Sequence, residues 1–239
     1  MMRTLGLDTS NYTTSAAVFD GAGGENAGQL LTVRPGELGL RQSDALFQHV
    51  KALPQRLAEL RQSGWLEDLS AIGASNRPRA VEGSYMPCFL AGDSLGQALA
   101  LTLDVPFYRV SHQQGHLAAA AWSAGRLDLL ERPMLAWHLS GGTTELLYVE
   151  PDGVNVAARR IGGTSDISAG QLIDRTGVLL GLDFPAGKAV DQLGRDQIGQ
   201  KFPVKLNDIT FSLSGMENKV RAMAERGDAP AQICGFVLE

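Results

Sequence analysis

The run LGLDTSNYTTSAAVFD, residues 5–20, decides the fold class of this chain. Two short stretches rich in β-forming residues, at 3–9 and 14–20, flank a polar turn, and this pattern predicts a hairpin. Asp8 and Ser10 lie in the turn, where a carboxylate, hydroxyls and backbone amides can hold a phosphate group or, through water, a magnesium ion. A plain hairpin turn explains the same residues equally well.

A second run of the same kind, HLSGGTTELL, occupies residues 138–147. One predicted strand enters the turn at Ser140 and another leaves after Thr143. Adjacent glycines let the backbone approach a ligand closely, and amides exposed there can contact phosphate oxygens. A hairpin turn alone also accommodates two glycines, so this run taken by itself leaves both interpretations open.

Helical periodicity follows each hairpin. Apolar residues recur at spacings of three and four, and the predicted helices are at about 43–62, 88–103, 112–124, 166–180 and 185–198. Strands followed by helices, twice over, predict an α/β protein of two related domains, residues 1–110 and 111–239. Two hydroxyl-rich hairpin turns, one in each half, are the ground plan of the actin-like ATPase fold. In that fold, also called ribonuclease H-like or ASKHA, nucleotide lies in a central cleft.

The segment SHQQGHLAAA, residues 111–120, carries a histidine pair, His112 and His116. A spacing of four places both imidazoles on one face of a helix, one turn apart, where they can bind a single metal ion. Neutral imidazole suits zinc, iron, nickel or copper. Surface or capping histidines show the same spacing, but the position directly after a predicted strand favours a metal site.

Composition narrows the class of protein. With 21 basic and 26 acidic residues the net charge is −5, which argues against a chain that holds nucleic acid by its overall field. Partners would then supply much of the positive charge. The sequence lacks a long apolar stretch and a secretion signal, and its two cysteines, Cys88 and Cys234, share no spacing with any histidine. These features predict a cytoplasmic protein with no membrane association.

The last residues predict a helix that begins near Pro230 and carries an apolar stripe. The sequence ends at Glu239 before that stripe is complete. A helix of about ten residues is marginal unless it docks on other elements, so a truncated chain with an incomplete second domain is expected. A short docked helix is the alternative.

Five ordered motifs resemble the TsaD threonylcarbamoyl transferase family, formerly labelled O-sialoglycoprotein endopeptidases. They are LGLDTSNYTTSAAVFD, SHQQGHLAAA, HLSGGTTELL, SDISAGQLIDRTGVLLGLDFPAGKAVDQL and ITFSLSGMENKV. The resemblance implies one zinc or iron ion on the histidine pair, and ATP, ADP or threonylcarbamoyl-adenylate, with magnesium, in an actin-like cleft. It also implies transfer of a threonylcarbamoyl group to the adenosine beside the tRNA anticodon. The implied partners are tRNA within a multi-protein complex, and an actin-fold paralogue or a second copy bound through the N-terminal domain.

The resemblance also implies roles for individual residues. His112 and His116 correspond to metal ligands. Ligand contacts are implied for Asp8, Ser10, His138, Leu139, Ser140, Gly141, Gly142, Thr143, Asp174, Gly187 and Asp191. In the family the aspartate at position 174 binds ribose hydroxyls, a role that suits a carboxylate because it accepts two hydrogen bonds at once.

Departures from the family pattern weaken these expectations. The family's third metal ligand, an aspartate, and its second glycine-rich loop lie beyond residue 239, so we expect a weak metal site. Acidic residues of the family are replaced by Tyr12, Thr13, Ile167 and Gln171, its histidine by Thr143 and its lysine by Glu217. A divergent paralogue is therefore expected, active as a transferase or serving as a non-catalytic regulator. A metallopeptidase is disfavoured, because Gln113 and Gln114 cannot act as a general base.

Overall fold

The computed structural model describes residues 2–10, 12–33, 40–197 and 204–239. Within these ranges no helix has both the length and the apolar character needed to cross a membrane. The chain divides into two units, Met1–Asp128 and Leu129–Glu239. Each unit contains one five-stranded sheet.

The first unit is built on a mixed sheet. Its strands are β1 (Arg3–Asp8), β2 (Thr13–Phe19), β3 (Gly24–Leu30), β4 (Leu69–Arg77) and β5 (Phe107–Ser111), in the order β3-β2-β1-β4-β5. The predicted β1–β2 hairpin is confirmed as an antiparallel pair, and β1 pairs in parallel with β4. Parallel pairing brings the C-terminal ends of β1, β4 and β5 to one edge of the sheet. The polar turn after Asp8 lies at that edge.

Two helices, α1 (Gln42–Gln62) and α2 (Leu90–Leu103), share the first unit's apolar core with the sheet. Leu60 and Ile72 are fully buried in this core. A small residue allows α2 to approach the sheet. A Cβ on Gly96 would lie 2.8 Å from a ring carbon of Phe107, closer than real Cβ contacts. Gly96 therefore serves packing within the unit.

A third helix, α3 (His112–Ser123), follows β5 without a loop. It contacts β4 and β5, and the ring of Trp122 packs edge-on against Phe19, with centroids 5.7 Å apart. All of these contacts lie within the first unit. The predicted boundary near residue 110 therefore falls too early, because it separates α3 from the strands on which this helix packs.

The second unit combines a sheet with a cluster of helices. Its strands are β6 (Met134–Leu139), β7 (Thr144–Asp152), β8 (Asn155–Thr164), β9 (Leu206–Asn207) and β10 (Thr210–Phe211), in the order β6-β7-β8-β10-β9. Its helices are α4 (Ala169–Leu179), α5 (Gly187–Gly194), α6 (Ser214–Glu225) and α7 (Pro230–Leu238). The β6–β7 hairpin is present as predicted, whereas β9, β10 and α6 were not predicted from the sequence. The last residue of the predicted helix at 185–198 lies outside the described residues.

The four helices of the second unit pack on one another. Val190 and Cys234 are buried in one cluster, and Val220 and Ile233 in a second. Helix α7 comes so close to α5 that a Cβ on Gly194 would lie 2.7 Å from the backbone of Cys234. Helix α7 therefore docks on the other helices of its unit.

The core packing predicts how two leucines of the first unit differ. Leu60 is fully buried, whereas Leu101 on α2 is 77% exposed. Leu60→Ala should lower the free energy of unfolding by about 2–5 kcal/mol, because burial is lost and a cavity remains. Leu101→Ala, the matched control, should change it by less than about 0.5 kcal/mol. Urea unfolding followed by circular dichroism measures both, and equal losses would contradict this description of the core.

Candidate functional site

The histidine pair owes its position to the start of α3. Ser111 is the N-cap: its hydroxyl accepts a hydrogen bond from the Gln114 amide at 3.2 Å, and the Gln114 side chain accepts one from the Ser111 amide at 2.8 Å. This reciprocal capping box satisfies two backbone donors that a helix start leaves without a partner. The helix therefore begins at His112, and His116 follows one turn later on the same face.

The two imidazoles converge on one point. The Nε2 atoms of His112 and His116 are 2.8 Å apart. On the other side of its ring, Nδ1 of His112 lies 2.8 Å from a carboxylate oxygen of Asp8, at the end of β1. Strand β1 and helix α3 thus bring these three residues together, although Asp8 and His112 are 104 positions apart in the sequence.

This arrangement suits a metal ion. When Nδ1–H of His112 donates to Asp8, a neutral His112 ring presents the lone pair of Nε2 toward His116, and such carboxylate support is usual for metal-binding histidines. Two imidazole nitrogens on one zinc ion, each at about 2.0–2.1 Å, lie roughly 3.3 Å apart. A small side-chain adjustment supplies that spacing. In the part of the chain that is described, no group of three His, Cys, Asp or Glu side chains is placed to hold a metal, so these residues provide two ligands.

Asp8 is held in its ionised form. Burial of the carboxyl opposes ionisation, but hydrogen bonds from His112 and Ser10 hold the pKa of Asp8 well below its usual range. The backbone amide of Ser10 donates to the carboxylate at 2.8 Å. Asp8 and Ser10 were predicted to contact phosphate. In the structure Asp8 lies against Nδ1 of His112, and Ser10 lies next to Asp8.

A cavity of about 760 Å³ opens beside the histidine pair within the first unit. Its size falls in the range of small-molecule sites. Asp8, His112 and His116 form its polar end, and the rest of its wall includes the small residues Gly6, Ala17, Gly73, Gly115 and Ala119. A ligand that approaches the histidines through this cavity would contact a largely apolar surface.

In the second unit, residues 140–143 form a tight turn between β6 and β7, here called the glycine turn. The amide of Ser140 donates to the carbonyl of Thr143 at 2.8 Å. The amides of Gly142 and Thr143 donate to the Ser140 hydroxyl oxygen at 3.2 and 3.0 Å. The sequence predicted exposed amides here, but the Ser140 oxygen already occupies the position that an anion would take.

The two glycines of this turn are not required by the fold. A Cβ on Gly141 or Gly142 would meet nothing within 4 Å, and neither residue has a left-handed φ. A larger residue therefore fits both positions sterically in the protein as described. The space beside both glycines is open, and the approach of a ligand there stays a prediction.

Helix α4 holds the glycine turn from behind. The Ser168 hydroxyl donates to the Gly141 carbonyl at 2.8 Å, and the Ala169 amide donates to the Thr144 hydroxyl at 2.8 Å. A Cβ on Gly170 would lie 2.6 Å from the Cα of Gly141, so only glycine permits this contact. Ser168, Ala169 and Gly170 were not among the residues predicted from the sequence.

The contact between α4 and the glycine turn has a signal in the sequence, because Ser168 and Gln171 have the spacing of a second capping box. The Gln171 side chain accepts from the Ser168 amide at 3.1 Å, and the Ser168 hydroxyl accepts from the Gln171 amide at 3.1 Å. Gln171 was interpreted as a lost carboxylate. In the structure it is the capping partner, a role that an amide performs as well as an acid.

The remaining predicted ligand residues fall into two groups. Asp174 on α4 accepts a hydrogen bond from the Ala186 amide at 2.9 Å, which brings it next to Gly187, the first residue of α5. Asp191 instead forms an exposed ion pair with Arg195 at 2.7 Å.

On β6, the two residues before the glycine turn have different environments. His138 faces the buried Glu145 of β7, with Nδ1 and Oε2 3.8 Å apart. Leu139 is 60% exposed. Both adjoin the glycine turn in the chain, but neither is shown in contact with Asp174.

Glu217, expected to reverse the charge of the ligand site, is bound by two arginines. Its carboxylate oxygens lie 2.8 Å from Arg175 and 2.9 Å from Arg221. Hydrogen bonds from Arg221 and Arg175 outweigh partial burial and lower the pKa of Glu217. The two guanidinium groups compensate the acid, so its presence does not leave a free negative charge.

Comparison with known proteins identifies the family. The sequence matches the family described as "TsaD: tRNA N6-adenosine threonylcarbamoyltransferase" over residues 39–236. A tRNA N6-adenosine threonylcarbamoyltransferase from Rhizobium leguminosarum bv. trifolii is 33% identical, covering 94% of this chain and 62% of that protein. One from Thermus thermophilus is 35% identical, covering 75% and 54%. The chain thus spans 62% of the length of the Rhizobium relative.

A solved structure agrees on the fold. Full-length HypF, in a phosphate- and nucleotide-bound form, superimposes with a TM-score of 0.50 at 12% identity, covering 98% of this chain and 43% of that one. At this identity the likeness concerns the fold alone. The predicted α/β class of actin-like type is confirmed. Because the family match extends over most of the sequence, the chain belongs to the TsaD family of tRNA N6-adenosine threonylcarbamoyltransferases.

Proposed function

We propose that this protein transfers a threonylcarbamoyl group from threonylcarbamoyl-adenylate to the exocyclic amine of the adenosine beside the tRNA anticodon. The observation that carries the proposal is the convergence of the His112 and His116 Nε2 atoms, supported by Asp8, in a chain of this family. The reaction needs no nucleophilic side chain. The adenosine amine itself attacks the carbamoyl carbon, and AMP leaves as the bond between that carbon and the phosphate oxygen breaks.

The first unit contributes the metal-binding residues. His112 and His116 would hold a zinc or iron ion, which when bound polarises a carbonyl oxygen and orients the group that carries it. Asp8 fixes the tautomer and the ring orientation of His112 through the 2.8 Å contact to Nδ1. Because Asp8 stays ionised, it keeps this role across the neutral pH range.

The second unit contributes the nucleotide-binding residues. The open space over Gly141 and Gly142 admits the phosphate of ATP, ADP or the adenylate, with or without magnesium. Rotation of the Ser140 side chain would release the Gly142 and Thr143 amides to a phosphate oxygen, a common anion-binding device. The second carboxylate oxygen of Asp174 is suited to accept from a ribose hydroxyl.

The partners follow from charge and family. A chain with a net charge of −5 does not attract tRNA by its overall field, so we propose that tRNA binds within a multi-protein complex. The proposed protein partner is an actin-fold paralogue or a second copy, bound through the first unit. The proposed location is the cytoplasm.

Two competing functions have less support. A non-catalytic regulator was suggested by lost acids, but Gln171 serves the capping box and Glu217 is compensated by Arg175 and Arg221. A metallopeptidase would need a general base between the histidines. Gln113 is buried and Gln114 is engaged in the capping box, so neither position offers one.

A transfer assay tests the proposed function. The protein is incubated with threonylcarbamoyl-adenylate and unmodified tRNA, with its complex partners present, and the tRNA nucleosides are analysed by mass spectrometry. Modified adenosine should form, and His112→Ala should reduce the rate by about 100-fold or more because one of the two ligands is lost. A complete assay without any modified adenosine would reject the transferase and favour the regulator.

The metal site has its own prediction. Zinc should bind, as measured by competition with a chromogenic chelator, and Asp8→Asn should weaken binding by about 10–100-fold because His112 loses its carboxylate support. Asp20→Asn is the matched control, since Asp20 also accepts backbone hydrogen bonds in a turn but lies away from the histidines. Equal zinc affinity in the Asp8 and Asp20 variants would contradict the assigned role of Asp8.

A pair of glycine variants tests the nucleotide site. Gly142→Ala has room for its Cβ, so the melting temperature should stay close to that of the parent, while ADP affinity falls by about tenfold. Gly170→Ala places its Cβ 2.6 Å from Gly141 and should destabilise the protein by about 1–3 kcal/mol. Calorimetry and thermal unfolding report the two effects. Unchanged ADP affinity in Gly142→Ala would count against a phosphate over the glycine turn.

A further inference from the structure

One exposed carboxylate, that of Asp166, joins segments that are far apart in the sequence. Its Oδ1 accepts hydrogen bonds from the amides of Ile167 and Leu213, each at 2.8 Å. Its Oδ2 accepts from the Ser214 amide at 3.3 Å and from the Ser212 hydroxyl. The bend before α4 is thereby bonded to the turn before α6.

Asp166 performs the function of an N-cap for α6. The N-cap residue of this helix is Leu213, whose side chain cannot accept a hydrogen bond. The first amides of a helix need acceptors, and a negative charge there is favourable because of the helix dipole. Asp166 lies outside the helix but supplies both the acceptors and the negative charge. The position of α6 therefore depends on this residue.

The same segment holds the glycine turn. Two residues after Asp166, the Ser168 hydroxyl donates to the Gly141 carbonyl at 2.8 Å. One residue before it, the Ser165 amide donates to the Phe211 carbonyl at 2.8 Å. A shift of Asp166 would therefore move the α6 start and the glycine turn together.

The other side of α6 leads to Asp174. Glu217, within the first turn of α6, binds Arg175 on α4 at 2.8 Å, and Arg175 is the chain neighbour of Asp174. The start of α6 is thus connected to the glycine turn through Asp166 and Ser168, and to helix α4, which carries Asp174, through Glu217 and Arg175.

We propose that Asp166 is a positioning residue that holds the glycine turn and the start of α6 in the arrangement that binds nucleotide, without touching the nucleotide itself. This inference rests on the proposed nucleotide site of the second unit.

The carboxylate cannot be replaced by its amide without loss. Burial opposes ionisation, but the hydrogen bonds from Ser212, Leu213 and Ser214 hold the pKa of Asp166 well below its usual range. In Asp166→Asn one oxygen becomes an NH₂ donor, which cannot accept from the backbone amides it faces, although the Ser212 hydroxyl can turn to accept from it. At least one backbone amide therefore loses its acceptor whichever way the side-chain amide turns, and the negative charge at the α6 start is lost with it.

The experiment compares the full chain with Asp166→Asn and Asp166→Glu. Asp228→Asn is the matched control, because Asp228 also lies in the second unit and pairs with Arg226 at 2.6 Å. Amide hydrogen exchange is measured for peptides that cover residues 140–143 and 212–216, and ADP affinity is measured by calorimetry well below the melting temperature. In Asp166→Asn, exchange in both peptides should rise and ADP affinity should fall, each by about tenfold. Asp228→Asn should change neither.

The outcomes separate this inference from the proposed function. Unchanged exchange at residues 140–143 in Asp166→Asn would overturn the inference, whether or not ADP binds. Increased exchange with unchanged ADP affinity would also overturn it, because the role would then be structural only. If the parent protein does not bind ADP, the nucleotide part of the proposed function fails, and the exchange data alone decide the role of Asp166. If Asp166→Asn does not fold, Asp166→Glu takes its place, because it keeps the charge and both acceptors but displaces the carboxylate by one methylene group. Exchange in both peptides should then still rise, and a turn as protected as in the parent would overturn the inference.

Discussion

The capping of two helix starts is the interaction on which the rest of this structure depends. In both α3 and α4 a serine oxygen accepts the third amide of the helix, and a glutamine returns the bond to the serine amide. Each helix start has four amides without intrahelical partners, and the capping box satisfies two of them. The first capping box fixes His112 and His116 at the end of β1. The second brings the α4 start against Gly141. The same kind of cap thus positions the histidine pair in the first unit and the glycine turn in the second.

The carboxylates explain why fewer acids than the family pattern still give an ordered site. Asp8, Asp166 and Glu217 are each committed to donors from other elements, and in each case hydrogen bonds hold the pKa below its usual value despite burial. Each carboxylate fixes the position of another group: Asp8 orients the His112 ring, Asp166 holds the start of α6, and Glu217 holds the contact between α4 and α6. The proposed chemistry needs such fixed groups more than it needs additional charge, because the attacking amine and the leaving adenylate belong to the substrates.

Local patterns made the fold and the histidine pair predictable, and distance in sequence limited the rest. Hairpins and helices have a short period, and the spacing of His112 and His116 is set by a single turn. The contact of Asp8 with His112 spans 104 residues, and that of Asp166 with Leu213 spans 47, so no local pattern reports either. Strands of two residues, such as β9 and β10, are too short for any periodicity. The boundary near residue 110 was misplaced because the contacts of α3 with β4 are also non-local.

The glycine turn, the proposed phosphate site, is ordered in the absence of a ligand. Its two donor amides are bonded to the Ser140 oxygen, and its backbone is held by Ser168. A phosphate oxygen that enters therefore replaces one acceptor with another and does not have to order a loop, which avoids an entropic cost of binding. The histidine pair follows the same logic, because the Asp8 contact fixes one ring before any metal binds. In each unit, the groups that would contact a ligand are held by groups that would not.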